Sequence, residues 1–170
     1  MTAPSADLKA LFHQLRLTIA AAESLTVGRV TTLLGSASGS SSFLLGGVTA
    51  YTIPQKVKLL GVDQAHAESV NAVSLRVATE MASGVCRMFN SSLGIGTTGY
   101  AEPSPGHGVA VPRAAVAIHL ATDGGKTLVA EWVEGPGLGR VEMQQFVAEQ
   151  AIALLEKKLR QEPDHDAHRS

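Results

Sequence analysis

The sequence predicts a single α/β domain. Short apolar segments of strand length alternate along the chain with segments whose apolar residues recur at helical spacing. The length of 170 residues suits one domain with a full hydrophobic core, and we find no internal repeat, linker or second core. Apolar residues make up 45% of the chain and charged residues 17%, as in ordinary compact proteins. We therefore expect one domain over residues 1–160, followed by a disordered polar tail over residues 161–170.

Composition and charge argue against several classes of protein. The net charge is −1 and no basic stripe is present, so we expect no nucleic-acid partner. No stretch approaches about 18 uninterrupted apolar residues and no apolar signal segment opens the chain, so we expect neither a membrane span nor a membrane partner. The single cysteine, Cys86, lies in an apolar helical run and fits a buried thiol in a reducing compartment. We expect a cytoplasmic protein.

The apolar periodicity and the positions of Gly, Pro and Ser predict the order of the elements. Predicted helices cover residues 8–15, 29–34, 55–60, 75–89 and 140–160, and predicted strands cover residues 17–22, 43–52, 92–97, 114–121 and 126–134. Residues 62–73 and 100–112 are predicted to be loops, and Asp123, Gly124 and Gly125 are predicted to form a hairpin turn.

Two ligand motifs are rejected on their context. Gly94, Gly96 and Gly99 spell the G-x-G-x-x-G pattern of dinucleotide sites, but they lie within a predicted strand and no helix follows them. His107 is isolated between glycines and has no second ligand at metal spacing. We therefore expect neither a cofactor nor a metal.

The stretch from residue 35 to residue 61 contains the most informative chemistry. It is predicted to run from a serine-rich loop through a strand and a turn at Pro54 into a short helix. Lys56 falls in the first helical turn, where the helix dipole disfavours a positive charge, and it shares a face with Leu59 and Leu60. Both effects favour a neutral amine, which is able to take a proton from a serine hydroxyl.

That stretch also has a plainer interpretation. Tyr51 is placed to relay or hold the proton that Lys56 takes. Alternatively, the serines form a flexible loop, Tyr51 lies at the edge of the core and Lys56 lies on the surface. Because Ser and Lys are common residues, local chemistry alone leaves both interpretations open.

Polar residues at two other predicted element boundaries are candidate ligand contacts. Ser24 and Thr26 follow the first predicted strand, at the end where α/β proteins bind ligands, although capping of the next helix explains them equally well. Arg140 begins the last predicted helix directly after the glycine-rich residues 135–139. An arginine at such a helix start is suited to bind a phosphate.

Four stretches resemble one protein family. AAESLTVG at 21–28 resembles AESCTGG, and GSSSFLLGGVTAYTIPQKVKLLGV at 39–62 resembles GSSAVFERGVVAYSNEAKIELLGV without a gap. AVSLRVATEMASGV at 72–85 resembles AVSEEVALEMAEGA, and TGYAEP at 98–103 resembles TGIAGP. The family is that of the C-terminal domain of the CinA competence-damage proteins, found alone as nicotinamide-nucleotide amidases. The likeness covers most of the chain, residues 20–155.

The resemblance implies a fold, an activity and a set of site residues. It implies a three-layer α/β/α sandwich with a mixed sheet, in a homodimer. It implies hydrolysis of nicotinamide mononucleotide to nicotinic acid mononucleotide and ammonia without a metal, a step of pyridine nucleotide salvage. The family's nucleophilic serine falls on Ser41, its tyrosine on Tyr51 and its lysine on Lys56. The substrate-binding residues that we expect from the motifs are Ser24, Thr26, Gly28, Ser40, Thr98, Gly99 and Arg140.

The chain also departs from the family's motifs. Leu25 and Val27 replace a cysteine and a glycine of SCTGG, and Ile53 replaces an asparagine. Glu102 replaces the second glycine of TGIAGP and places an acid beside a site that the family uses for a phosphorylated ligand. The turn at 135–140, GPGLGR, replaces a GDRD-type turn.

Three functions therefore follow from the sequence. The first is an amidohydrolase of the nicotinamide-nucleotide type, and the second is an amidase that uses the same residues on another amide. The third is a paralogue that binds a nucleotide or a partner without turnover. Ser41, Tyr51 and Lys56 favour the two enzymes, and the departures favour the third.

Overall fold

The computed structural model describes residues 6–121 and 124–161, with side chains from residue 8 onward. The described residues form α1 (Ala6–Leu15), β1 (Ile19–Glu23), α2 (Arg29–Gly35), β2 (Leu44–Thr49), α3 (Ile53–Leu60), α4 (Gln64–Ser69), α5 (Leu75–Phe89), β3 (Leu93–Tyr100), β4 (Arg113–Leu120), β5 (Lys126–Glu134) and α6 (Arg140–Leu159). Short 3-10 turns lie at Ser40–Ser42 and Pro105–His107. No described helix is long and apolar enough to cross a bilayer.

The five strands form one mixed sheet in the order β2-β1-β3-β4-β5. β1 pairs in parallel with β2 and with β3, whereas β4 and β5 are antiparallel additions. Glu23 at the end of β1 is in register with Thr49 on one side and Thr97 on the other. The carboxyl ends of the three parallel strands therefore meet at one edge of the sheet, where open α/β sheets bind ligands.

Helices cover both faces of the sheet, which confirms the expected three-layer α/β/α sandwich. On one face, α1, α2 and α6 bury residues such as Leu8, Leu33 and Val147 against the strands. On the other face, α3 and α5 bury residues such as Leu60 and Met81. Burial of these side chains supplies the main driving force for the fold, at about 1.5–3 kcal/mol for each large one.

The glycines of the rejected dinucleotide pattern have a packing role. Gly94 and Gly96 lie on β3 beneath α5, and a Cβ at either position would collide with the backbone carbonyl of Ala82 or Ala78. Their lack of a side chain lets α5 lie directly on the strand. This contact accounts for the motif without a nucleotide.

The elements differ from the predicted ones at several boundaries. Residues 62–73 contain α4, which begins at a cap that we missed, with Asp63 Oδ1 accepting a hydrogen bond of 2.7 Å from the backbone N–H of His66. β2 is shorter than predicted, and β3 continues to Tyr100 because it pairs with β4 as far as Arg113. Asp123 of the predicted turn and residues 162–170 of the predicted tail lie outside the described residues.

Candidate active site

A cavity of about 440 Å³ lies at the carboxyl edge of the parallel strands. Its walls come from the turn after β1, the start of α3, the loop before α5, the end of β3 with the loop that follows, and the start of α6. Six of the ten residues that we predicted for the site line it: Ser24, Tyr51, Lys56, Thr98, Gly99 and Arg140.

Lys56 is the central ionisable group of this cavity. Its side chain is only 1% exposed, although lysines rarely lie inside a protein. Its Nζ lies 2.8 Å from Ser24 Oγ, 2.9 Å from the carbonyl oxygen of Ala50 and 2.9 Å from that of Tyr51. Burial lowers the pKa of Lys56 from 10.5 to about 8, because desolvation disfavours the charged amine. The neutral form is therefore accessible near neutral pH.

The three partners of Lys56 fix the direction of its lone pair. A charged ammonium donates one hydrogen to each of the three oxygens. A neutral amine has two hydrogens and one lone pair, and the carbonyls of Ala50 and Tyr51 accept but never donate. The lone pair of neutral Lys56 must therefore face Ser24 Oγ, whose hydroxyl then donates to it. This is the arrangement of a general base and the nucleophile that it activates.

A buried carboxylate fixes the turn that carries Ser24. Glu23 is 1% exposed, and its two oxygens accept hydrogen bonds of 2.7–3.0 Å from Thr26 Oγ1, Val30 N, Thr31 N and Thr31 Oγ1. The backbone N–H of Ser24 donates to the carbonyl of Thr97 at 3.0 Å. Ser24 is thus held from both sides, between the sheet and the start of α2. We infer that Glu23 positions the hydroxyl rather than reacting.

Ser41 lies far from Lys56 within the chain, and this corrects the expected convergence of the two residues. Ser41 is exposed on the 3-10 turn that precedes β2, whereas Lys56 follows that strand. The six residues of β2 separate them by about 20 Å at about 3.3 Å per residue. The prediction that Ser41 lies within hydrogen-bond reach of Lys56 or Tyr51 is wrong for a single chain, because the segment between them runs as an extended strand.

Three further predicted substrate contacts also lie outside the cavity. Ser40 shares the turn of Ser41 and its hydroxyl donates to the carbonyl of Gly35 at 3.2 Å. Thr26 is fully buried, with its hydroxyl 2.7 Å from Glu23 Oε2 and 2.8 Å from Thr97 Oγ1. Gly28 is the N-cap of α2 at a φ of 87°. The capping alternative for Thr26 is also wrong, because its hydroxyl bonds to Glu23 and Thr97, while the N–H groups of Val30 and Thr31 at the start of α2 donate to Glu23.

The remaining predicted residues contact the cavity in different ways. Thr98 Oγ1 donates to the carbonyl of Ala72 at 2.7 Å and so ties β3 to the loop before α5. Tyr51 gives its backbone carbonyl to Lys56, and its side chain lines the cavity and is 53% exposed. Arg140 begins α6, and its Nη1 lies 3.5 Å from Glu102 Oε2. Arg140 thus faces the cavity while already paired with a carboxylate.

Sequence reasoning missed several residues of the cavity wall, among them the hydrogen-bonded pair Asn71 and Tyr100. Asn71 Nδ2 donates to the Tyr100 hydroxyl oxygen at 3.1 Å, and both side chains line the cavity. Asn71 and Ala72 have φ values of 50° and 57°, which turn the chain back towards the cavity. Asparagine tolerates this conformation, so Asn71 was a weak signal, whereas the alanine carried none. Among the described residues, no group of three or more His, Cys, Asp or Glu side chains is placed to hold a metal ion.

Known proteins resemble this chain over most of its length. Residues 2–159 match the family model described as the CinA C-terminal domain. A CinA-like protein of Shewanella baltica is 35% identical over 143 residues, covering 84% of this chain and 33% of that protein. A CinA-like protein of a Picosynechococcus strain is 48% identical over 86 residues, covering 51% of this chain and 20% of that protein. The matches thus span a third or less of these two relatives.

Solved structures share the fold. A competence-damaged protein (CinA) superfamily protein from Enterobacter cloacae is 26% identical, with a TM-score of 0.80 and coverage of 94% of both chains. A competence or damage-inducible protein from Enterobacter asburiae, at 23% identity and a TM-score of 0.82, covers 90% of this chain and 94% of that chain. The likeness of fold agrees with the match of residues 2–159 to the family model. The chain belongs to the family of the CinA C-terminal domain.

Proposed function

We propose that the chain is an amidohydrolase in which Ser24 is the nucleophile and Lys56 its general base. The observation that carries the proposal is the contact of 2.8 Å between Lys56 Nζ and Ser24 Oγ at the wall of the cavity, with two carbonyls directing the lysine lone pair towards the serine. The amide specificity comes from the sequence resemblance, which implies hydrolysis of the carboxamide of nicotinamide mononucleotide. Nicotinamide mononucleotide is accordingly the first compound to test.

The proposed reaction passes through an acyl-enzyme. Neutral Lys56 takes the hydroxyl proton of Ser24 while Ser24 Oγ attacks the amide carbon, which forms a C–O bond and a tetrahedral intermediate. The intermediate collapses with cleavage of the C–N bond, and the leaving nitrogen takes the proton from Lys56, so that ammonia departs. Water then attacks the ester, Lys56 again accepts and returns one proton, and the free acid leaves with Ser24 restored.

This assignment replaces Ser41, which the resemblance implied, with Ser24. The serine-rich turn at 39–42 lies at the opposite edge of the sheet from the cavity. The separation of Ser41 from Lys56 also favours the second candidate function, a paralogue that binds a nucleotide without turnover. The two serines therefore provide the sharpest test.

The experiment measures ammonia release from a panel of amides that includes nicotinamide mononucleotide. Ser24→Ala should lower the rate by about a hundred- to ten-thousandfold, as expected when a proton-transfer pair is removed. Ser41→Ala is the matched control and should retain the activity of the unmodified chain. Loss of activity in Ser41→Ala with retention in Ser24→Ala would refute the assignment and would point to a site completed by a second copy. If no amide is hydrolysed, the binding function replaces the enzymatic one.

A further inference from the structure

The charge of the cavity bears on which substrate it accepts. Among the described residues that line it, Lys56 and Arg140 carry the only cationic side chains. Lys56 is buried and directed at Ser24, so it is not free to hold a second group. Among the described lining residues, Arg140 is therefore the only cation available to an anionic ligand. Its side chain is 48% exposed.

Glu102 forms an ion pair with Arg140. It lies in the loop after β3, lines the same cavity and is 59% exposed, with Oε2 at 3.5 Å from Arg140 Nη1. A phosphate group carries a charge near −2, so binding it at Arg140 would place it beside a carboxylate of the same sign. Like charges brought together in this way oppose binding and give selectivity against the wrong ligand.

Two aromatic side chains in the cavity wall favour a cationic ligand. Tyr51 and Tyr100 both line the cavity, and the face of a tyrosine ring attracts a cation. A nicotinamide nucleoside carries its positive charge on the pyridinium ring and has no phosphate. Such a ligand would contact the two tyrosines and the Glu102 carboxylate. The corresponding nucleotide would add the two negative charges of its 5′-phosphate beside that carboxylate.

We propose that Glu102 makes this cavity selective for pyridinium nucleosides that lack a 5′-phosphate, over the corresponding nucleotides. The inference rests on the proposed amidohydrolase function and names the substrate class of the same site. Glu102 acts as a specificity-determining residue, through its charge and through its pairing with Arg140. It takes no part in the proton transfer between Ser24 and Lys56.

The test compares nicotinamide riboside with nicotinamide mononucleotide. The unmodified chain should show a kcat/KM about tenfold or more higher for the riboside. Glu102→Gln should shift that ratio towards the nucleotide by about tenfold, mainly through KM, because it removes the repulsion and frees Arg140. Glu131→Gln removes an exposed carboxylate from β5, away from the cavity, and should leave the ratio unchanged. A preference of the unmodified chain for the nucleotide, or an unchanged ratio in Glu102→Gln, would overturn the inference.

A double variant tests the part played by Arg140. The increase in relative kcat/KM for the nucleotide that Glu102→Gln produces should disappear when Arg140→Ala is added, since no free cation then remains in the described cavity wall for the phosphate. If the gain persists, pairing with Arg140 is not the route by which Glu102 acts.

Binding measured by calorimetry separates this inference from the proposed chemistry. A chain that binds the riboside more tightly but hydrolyses neither compound would contradict the amidohydrolase and support the selectivity. A chain that hydrolyses both compounds and prefers the nucleotide would support the enzyme and contradict the selectivity. Absence of binding by both compounds would overturn both.

Discussion

The two ends of β2 make an instructive comparison, because each end has a serine that the sequence marks as functional. Ser24 lies beside the carboxyl end, is 7% exposed and contacts a buried lysine at 2.8 Å. Ser41 lies before the amino end on an exposed turn. In that turn Ser42 contacts His13 at 3.1 Å, and neither Ser40 nor Ser41 reaches the cavity. The two regions have the same hydroxyl chemistry and differ in what surrounds it.

The two serines differ in burial and in the presence of a base, because the Lys56 amine is directed at the Ser24 hydroxyl whereas Ser41 is exposed. A run of four small residues around Ser41 attracts attention in the sequence, but Ser41 is exposed and does not line the cavity that contains Lys56. At the carboxyl edge, two carbonyls and one hydroxyl enclose a lysine, and burial lowers its pKa to about 8.

A double-mutant cycle on Ser24 and Lys56 tests whether the two residues act as one unit. Ser24→Ala and Lys56→Met should each lower kcat/KM for an amide by about a hundred- to ten-thousandfold. The double variant should be little worse than either single one, because each substitution already disables the same proton transfer. Lys58→Met removes an exposed lysine of the same helix and should keep full activity. Fully additive losses would show that the two residues act independently.

The pH dependence of activity tests the state of Lys56. Protonated Lys56 has no lone pair, so kcat/KM should be low below the pKa of about 8 and should rise about tenfold per pH unit towards a plateau above it. A profile that is flat between pH 6 and pH 9, a range that spans the expected pKa of about 8, would remove Lys56 from the role of base.

The same pKa predicts how stability changes with pH. The folded pKa of about 8 lies below the unfolded value of 10.5, so between these values the unfolded chain binds more protons than the folded one. The contribution of Lys56 to the free energy of unfolding should therefore rise with pH across that window, and it should be constant below it. Lys56→Met should abolish this contribution, as measured by urea unfolding at several pH values, whereas Lys58→Met should preserve it.

Glu23 tests whether the turn at the carboxyl edge is held in place. Glu23→Gln preserves the shape of the side chain but replaces one of the two acceptor oxygens by an NH₂ group, so that either Val30 N or Thr31 N faces a donor and loses its acceptor. We expect a loss of about 2–3 kcal/mol in the free energy of unfolding, since hydrogen bonds to a charged acceptor are lost in a buried position. Glu131→Gln, an exposed control, should change it by less than about 0.5 kcal/mol.

The residues predicted the α/β class and most elements of the fold because strong local signals mark them, whereas the three layers came from the family resemblance. Such signals are Pro54 for a helix start, Gly61 for a helix end and Ser74 for an N-cap. In the structure, Pro54 lies in the first turn of α3, Gly61 is its C-cap and Ser74 is the N-cap of α5. The missed helix α4 has six residues and contributes one buried side chain, Ala67, so it left too little apolar periodicity to detect.

The candidate site was only partly predictable, and the reason is the sheet. Lys56 and its low pKa followed from the position of the residue on an amphipathic helix near Pro54. Its partner was assigned to a serine 15 positions away in the chain, whereas the structure supplies one 32 positions away, on the turn that follows β1. Parallel pairing of β1 with β2 brings Ser24 and Ala50 to the same edge, and no local pattern encodes that register.

The smallest expected effect concerns Val27, where the chain replaces a glycine of the family motif. Val27 has a φ of 47° and is 43% exposed, so a β-branched side chain lies in the left-handed region, at a cost of about 1–2 kcal/mol. Val27→Gly relieves this strain, but the greater freedom of glycine in the unfolded chain offsets part of the gain. We expect the free energy of unfolding to rise by about 0.5–1 kcal/mol, measured by urea unfolding, with activity kept because Ser24 is held by Glu23 and Thr97. Val141→Gly, at an exposed position in the first turn of α6, is the control and should destabilise by about 0.5 kcal/mol or less. Destabilisation by Val27→Gly of the same size would show that the turn after β1 carries no strain, and that the chain has adapted to valine there.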